Sequence, residues 1–416
     1  MTVAVDPFAP QALEDPYPLY RMLRTDAPVY QLPQTGLWLV TRMADLEEAA
    51  ANTRVFSSHI SAIVYAGQGP NPVVIPADPD AVGAVDVLAT QDPPAHTRQR
   101  KLLTRSFVAS RIEELSPGVT AFVDERLDAV LPAGRVEWME AVSNPLPLWV
   151  ISNLLGFPDA DAPRLKTWAD AGVDLLSGVA PMERMIEAWN QMMGFIAYLN
   201  ERQSGPAAGS ITADIAAAVK SGDLTEREGV SLLLQLTIAG SESTTSLIGS
   251  AVCILAVRPD LQASLRADPG RIPLFLEEIL RLESPFRGHF RVTTQEATLG
   301  GVAIPKDSRV MLMWGAANRD DAAFPHPDEL DLDRAQPKAH VAFGSGIHFC
   351  IGAPLARMEA RIAVARLLQR TSTFALADAP RHVPSLFVRR LASLELMLRA
   401  TPPGQAGTFF MNVEVP

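Results

Sequence analysis

Between Thr225 and Val257 apolar residues recur with helical spacing and little interruption, from LLLQL through AVCILAV, so the segment reads as one long buried helix. A Thr-x-x-Glu capping box, Thr225 with Glu228, marks its start, and Arg258-Pro259 marks its end. At 1.5 Å per residue it is expected to run roughly 48 Å. Its middle breaks the pattern: IAGSESTTSLIG, Ile238 to Gly249, brings a glycine, a glutamate and a cluster of hydroxyls into an apolar run. Ala239 and Ser243 share one face, as do Gly240 and Thr244, because residues four apart lie one above the other. Gly240 disfavours helix by about 1 kcal/mol relative to Ala, while Ser and Thr can bond back to the i−4 carbonyl and bend the axis. The expected result is a hydroxyl-lined groove, with plain back-bonding between closely packed helices as the alternative.

Mostly helical patterns fill about 95–281, broken at GFPDADAP and SGPAAGS. PYPLYRMLRT near the front and PLARMEARIAVARLLQRT near the end read as further helices. In PMERMIEAWNQMMGFI, Met182, Met185, Trp189, Met192 and Phe195 fall largely on one face, which reads as core before ligand wall. Short β-like runs such as GLWLVTR, VTTQEATLGGVAI and SRVMLMW place β-rich parts at about 25–60, 290–345 and 375–400. From Ser61 to Pro94 the chain has no basic residue and is rich in Pro, Gly and Ala, a long aperiodic stretch that suits a lid. Residues 401–416 read as a linker and tail. Helices and strands interweave, so the expectation is a mainly α fold with smaller β-sheets (α+β), one integrated domain over 1–416.

A net charge of −11 disfavours nonspecific nucleic-acid binding. No purely apolar run reaches the roughly 18 residues of a membrane span, and the N-terminus is interrupted by prolines and acids, so a cytoplasmic protein without signal peptide is expected. Two cysteines, Cys253 and Cys350, far apart in a long chain, fit a reducing compartment and no disulfide scaffold.

The sharpest local chemistry lies in HVAFGSGIHFCIGAPLAR, His340 to Arg357. Gly344 and Gly346 permit positive φ, so the loop can turn sharply and present Cys350 at the start of the next helix. There the free N–H groups and the helix dipole favour thiolate over thiol. Gly352 leaves room for something large and flat. A buried structural cysteine is the plainer alternative, and that reading is assigned to Cys253 among apolar neighbours. A zinc site needs more ligands than Cys350 with His340 and His348, and Phe349 occupies the third glycine position of G-x-G-x-x-G. A lone thiolate on a glycine-rich loop suits an axial bond to haem iron, where its electron push favours O–O cleavage.

FGSGIHFCIG resembles the F-G-x-G-x-H/R-x-C-x-G haem loop of the cytochrome P450 superfamily, and the LARMEA after it is also similar. LEEILRLESPF resembles the family's E-x-x-R helix, WGAANRDDAAFPHPDELDLDR the segment that follows, and DPPAHTRQR, Asp92 to Arg100, the helix gripping the haem from the other side. The resemblance spans about Pro16 to Leu398 and points to the bacterial soluble, ferredoxin-dependent type.

It implies the cytochrome P450 fold, with haem b (iron protoporphyrin IX) between the long central helix and the helix after the Cys loop. Cys350 would be the axial iron ligand, within a loop that includes Phe343, Gly344, Gly346 and Gly352. Ala239 and Gly240 would face the haem from the other side, and His96, Arg100, Arg291 and His348 would partner its propionates. Glu278 and Arg281 would form a structural brace with Arg334. In the family's A-G-x-E/D-T-T motif, Ala239, Gly240 and Glu242 match, and Ser243 stands where the relay threonine usually is, before Thr244 and Thr245. Glu242, Ser243 and Thr244 are thus the catalytic candidates for delivering protons to O2, the co-substrate. Ser243 lacks the methyl that limits threonine's rotamers, which puts tight coupling in question.

The implied reaction inserts one atom of O2 into an apolar small molecule. The pocket would be lined by the Ser61–Ala89 loop, Ala239, the Phe286–Phe290 segment and Phe387. Arg287 and His289 would either anchor a polar end of the substrate or make a salt bridge or propionate contact. With no flavin or iron–sulfur module in the chain, electrons would come from NAD(P)H through a separate reductase and ferredoxin. A docking face of Arg98, Lys101, Arg105, Arg111 and Arg361 is expected, with scattered solubilising charge as the alternative, and the chain is expected to be a monomer. Two rival readings are a peroxide-driven or non-redox P450-like enzyme and a haem-based binding or sensor protein.

Overall fold

The computed structural model describes residues 6–66, 72–76 and 84–402. Long helices carry most of the chain, among them Ser116–Val130, Pro145–Leu155, Ala162–Ser177, Met182–Ser204, Glu226–Ala256, Ile272–Leu282 and Ala353–Arg370. The sheets are small. The largest sets Val29–Gln31, Trp38–Val40, Arg309–Leu312, His289–Thr293 and Phe56–Ser57 side by side in that order. Within it, Trp38–Val40 and Arg309–Leu312 run parallel and every other pair antiparallel. A second sheet joins Thr371–Leu376, Glu395–Ala400 and Arg135–Glu137.

The central helix, Glu226–Ala256, is about 46 Å long. Its capping box is formed: Glu228 N donates to Thr225 Oγ1 at 3.1 Å and Thr225 N to Glu228 Oε2 at 2.8 Å. By length and composition this helix could cross a membrane, but 67% of the qualifying window is buried inside the protein, which makes it the core helix. The polar run leaves it helical throughout. Ser241, Ser243 and Ser246 donate to the carbonyls of Thr237, Ala239 and Glu242 at 2.9, 2.9 and 3.0 Å, while Thr245 reaches across to Ser143 O at 2.8 Å. Back-bonding therefore accounts for Ser241 and Ser246. Gly240 has a packing reason too, since a Cβ there would sit 2.9 Å from Ile151 Cγ1 on the helix Pro145–Leu155.

Other expectations are revised. In the Met182–Ser204 helix the buried face runs through Ala188, Met192, Phe195 and Leu199, with Phe195 stacked on Trp168 at 4.9 Å. Met182 and Trp189 are exposed. A stripe spaced three, four, three and three residues precesses around a 3.6-residue helix, so only its C-terminal end meets the core. In the expected lid, Ala62–Tyr65 pairs with Val73–Pro76 as an antiparallel hairpin. Ala66 N donates to Gly178 O at 2.8 Å and Tyr65 Oη to Ala180 O at 2.9 Å, pinning the hairpin to the turn before the Met182–Ser204 helix. Residues 67–71 and 77–83 of the lid and the tail from 403 lie outside the described residues.

The Glu278–Arg281 pair is fully buried. Arg281 Nε and Nη2 donate to the two carboxylate oxygens at 2.8 and 2.9 Å, and Arg334 Nε donates to Oε1 at 3.0 Å. Arg281 also donates to the carbonyls of Asn318, Pro327 and Glu329 at 3.1, 2.5 and 2.8 Å, tying the helix Ile272–Leu282 to the loop ahead of the Cys segment. Removing one partner of a buried ion pair strands the other charge, at a cost of about 3–5 kcal/mol. Glu278→Ala is expected to lower the free energy of unfolding in denaturant by that amount. A loss below about 1 kcal/mol, the range of an exposed pair, would contradict the brace.

Candidate active site

The Cys segment folds as its glycines allow. Gly344 and Gly346 take φ of +75° and +67°, the left-handed region, and a Cβ on Gly346 would meet Ala50 O at 3.1 Å. Cys350 N closes the loop by donating to Phe343 O at 2.9 Å. Cys350 then lines a cavity together with Ala239, Gly240, Ser243 and Thr244 of the central helix. Burial pushes its thiol up, against the N–H groups of Gly352 and Ala353 and the charges of Arg100 and Arg357, which pull it down. The N–H groups at the helix start thus favour thiolate, as the sequence suggested, but they do not decide the balance. Desolvation outweighs them, and a coordinated cation would reverse the balance.

A network that the sequence reading missed holds this loop. Glu277, beside the brace carboxylate, accepts both Arg357 Nε and Nη2 at 2.7 Å and faces His340 Nε2 at 3.0 Å. Arg357 in turn lies over the Phe343 ring at 4.5 Å. Its signal was the doubled glutamate of LEEILRL, of which only the second was used.

Four residues from three separate regions, His96, Arg100, Arg291 and His348, line the same cavity. The rings of His96 and His348 are 4.4 Å apart, and His348 Nε2 is 2.9 Å from Ser58 Oγ. Both ring nitrogens of His96, Nδ1 of His348 and Nε of Arg291 are buried with no hydrogen-bond partner. Each such group costs about 1–3 kcal/mol, so their convergence marks a seat for an acceptor, and beside two guanidiniums that acceptor is an anion. Burial lowers the His96 imidazole, helped by Arg100. Burial, then Arg291, His96, His289 and Arg100, pushes His348 down to about 3, and burial brings Arg291 to about 10. A cavity lined by a thiol, by small residues of the central helix and by this cationic seat fits a flat macrocycle bearing carboxylates. Among the described residues no group of three His, Cys, Asp or Glu could hold a bare metal ion.

Other candidates fall as follows. Phe343, Gly344, Gly352, Phe286 and His289 line the cavity, whereas Gly346 makes the turn beneath it. Among the described residues of the Ser61–Ala89 loop, Leu88 and Ala89 reach it. Glu242 does not line the cavity. One residue from Ser243, it is rotated to another face of the helix, where Arg390 Nη1 donates to Oε2 at 2.5 Å. Arg390 also donates to Asn144 Oδ1 at 3.0 Å and lies 3.6 Å from Asp170. Burial pushes the Glu242 carboxyl up and Arg390 pulls it down. Phe387 stays behind the cavity wall, packed on Phe286 at 5.0 Å and His289 at 5.4 Å and stacked on Phe290 at 6.3 Å. Arg287 is no pocket residue either, because its guanidinium is consumed by the carbonyls of Ala12, Leu13 and Val388. Of the proposed docking residues, Lys101, Arg105 and Arg111 are exposed, Arg361 is half-buried, and exposed Arg98 is paired with Glu228 at 3.0 Å.

A helical scaffold whose cavity joins a cysteine loop to a seat for carboxylates suits a haem enzyme. The chain belongs to the cytochrome P450 family, whose family model matches residues 85–387. It is 39% identical to Cytochrome P450 144 of Mycobacterium tuberculosis over 96% of this chain and 93% of that one. It is 36% identical to the Vitamin D(3) 25-hydroxylase of Pseudonocardia autotrophica over 94% and 96%. The solved structure of CYP109E1 from Bacillus megaterium in complex with testosterone aligns with a TM-score of 0.82 at 28% identity, covering 93% of this chain and 98% of that one. The protein is a P450 monooxygenase of the bacterial kind.

The Glu277 network carries a pH signature. Burial raises its carboxyl, but Arg357 and His340 more than offset this and hold it at about 2, below the ordinary 4.5. The pair's contribution is therefore complete above about pH 4.5 and is lost as pH falls toward 2, on the order of 3 kcal/mol at about 1.36 kcal/mol per unit. Unfolding free energies measured across this window should fall more steeply for the parent than for Glu277→Gln. Parallel curves would contradict the assignment.

Proposed function

We propose that this P450 monooxygenase uses a Cys350-ligated haem b to insert one atom of O2 into a bulky apolar small molecule, with electrons from NAD(P)H through a separate reductase and ferredoxin. The observation that carries the reading is the cluster of buried, unpartnered Arg and His groups sharing one cavity with Cys350. Cys350 Sγ would ligate the iron, and Arg100, Arg291, His96 and His348 would hold the propionates. Haem, when bound, supplies the dioxygen chemistry, which consumes two electrons and two protons.

The chain's own residues handle substrate, water and protons. Leu88, Phe107, Leu236, Leu247 and Phe286 make the wall apolar, which excludes bulk water and suits a hydrophobic substrate. The Vitamin D(3) 25-hydroxylase and the testosterone complex among the relatives support a bulky, fused-ring class. Ser243 Oγ, anchored by donation to Ala239 O at 2.9 Å, remains an acceptor on the cavity side and can hold a water or pass a proton. Thr244 adds a second lining hydroxyl. Glu242 serves as proton donor only when its carboxyl is released from Arg390. That engaged carboxylate is the one observation favouring a peroxide-driven alternative, which draws no proton through Glu242. The reading includes a single domain, a monomer in the cytoplasm, and ferredoxin docking on the face of Lys101, Arg105, Arg111 and Arg361.

Two experiments test the reading. Reduced, CO-bound protein should show the red-shifted Soret band of thiolate ligation, retained in Cys253→Ser and lost in Cys350→Ser; the reverse pattern would displace Cys350. Ser243→Ala should keep haem and substrate binding but divert NADH to peroxide, lowering product per NADH several-fold. Ser243→Thr should preserve coupling. Unchanged coupling in Ser243→Ala would remove Ser243 from the relay.

A further inference from the structure

His289 and Trp314 both line the cavity, and the function above gives them no task. The indole Nε1–H of Trp314 lies 2.6 Å from Nδ1 of His289. An indole nitrogen only donates, so Nδ1 must accept, and in the neutral ring the proton must sit on Nε2. Neither side chain is free to reverse this. His289 opens the strand His289–Thr293 and pairs across the sheet with Leu312, two residues before Trp314. Trp314 is 2% exposed, and the imidazole is held edge-on by Phe286 at 5.1 Å and Phe387 at 5.4 Å. Nε2 has no hydrogen-bond partner among the described residues.

We propose that Trp314 is a positioning residue that fixes His289 as an Nε2–H donor, and that this donor reads one oxygen of a carboxylate in the cavity, from a haem propionate or from the substrate. Arg291, two residues along the same face of the strand, makes an anion the favoured acceptor. The other titratable groups lining the cavity are His348 and Cys350 on the Cys loop and His96 and Arg100 on the helix Ala95–Thr104; Cys350 alone of these can turn anionic, and burial pushes its thiol up. Burial, with Arg291 alongside, pushes the His289 imidazole down to about 3, so the donor persists across working pH. Without Trp314 the two neutral tautomers would mix, and the ring would be free to protonate beside a carboxylate. The propionate source rests on the haem seat proposed above. The substrate source needs only the cavity.

Haem-loaded parent, His289→Phe, His289→Gln, Trp314→Phe and the double variant Trp314→Phe/His289→Phe would be compared in two arms. The first follows haem transfer to excess apomyoglobin and the haem reduction potential from about pH 5.5 to 8.5, the range in which an imidazole titrates. The second follows optical titration with ω-(imidazol-1-yl)alkanoic acids of increasing chain length against 1-butylimidazole, probes that coordinate the iron through their own imidazole. If the acceptor is a propionate, His289→Phe should speed haem transfer about tenfold, the worth of one charged hydrogen bond. If it is a substrate carboxylate, the same variant should erase about a tenfold preference for the acid probes. His289→Gln, which keeps a donor, should recover part of either loss and replaces His289→Phe if that protein fails to take up haem. Trp314→Phe should add a pH-dependent step to the affected arm that is absent from the parent and from the double variant.

His289 variants matching the parent in both arms would overturn the donor. A His289 effect with no new pH step in Trp314→Phe would overturn the tautomer lock. Either failure, in proteins that keep the thiolate CO band, leaves the proposed function standing.

Discussion

A guanidinium buried without a carboxylate is among the least favourable arrangements a fold can hold, and the site is organised around one. Arg291 is 3% exposed, donates one bond to the neighbouring Phe290 carbonyl at 2.7 Å, and leaves Nε unpartnered. Beside it are the imidazoles of His96 and His348, three of whose four nitrogens are equally unsatisfied. Native folds pair such groups in the great majority of cases, so the exceptions gathered here amount to a binding surface for an anion with more than one carboxylate. The small residues of the central helix and the open thiol of Cys350 complete a slot of the shape a porphyrin needs.

Two other buried carboxylates keep that slot in shape, and they differ from the cluster in being fully paired. Glu278 gathers Arg281 and Arg334, and Glu277 gathers Arg357 and His340. Both belong to the helix Ile272–Leu282, so one helix anchors the loop ahead of the Cys segment and the first turns of the helix after it. The contrast separates roles: satisfied networks fix the framework, and unsatisfied groups wait for a ligand.

What the sequence made legible was what local spacing encodes. The Thr225–Glu228 box, the i,i+3 brace of Glu278 and Arg281, the turn glycines around Cys350, and the pairing of Ala239 with Ser243 all follow from residues a few positions apart. What escaped it depends on partners far along the chain. Glu242 is turned to Arg390, 148 residues away, so a motif position alone could not say which way its carboxylate faces. Gly240 owes its place partly to Ile151, and His289 is defined by Trp314, 25 residues on, whose motif marks the segment but not this contact. Phe387 and Arg287 had suitable chemistry at a plausible position, but packing assigned one to the back of the wall and the other to fastening backbone carbonyls.

The central claim is that the cavity is built to neutralise carboxylates, and iron-free protoporphyrin IX tests it without any catalysis. Unfolding of the apoprotein would be followed with the free diacid and with its dimethyl ester, identical in ring and lacking only the two negative charges. At about a hundredfold excess over its dissociation constant the diacid is expected to stabilise the fold by about 2.7 kcal/mol, with far less from the ester at the same concentration. Equal stabilisation by diacid and ester would mean that the ring alone is recognised, and would contradict the anionic seat on which this account depends.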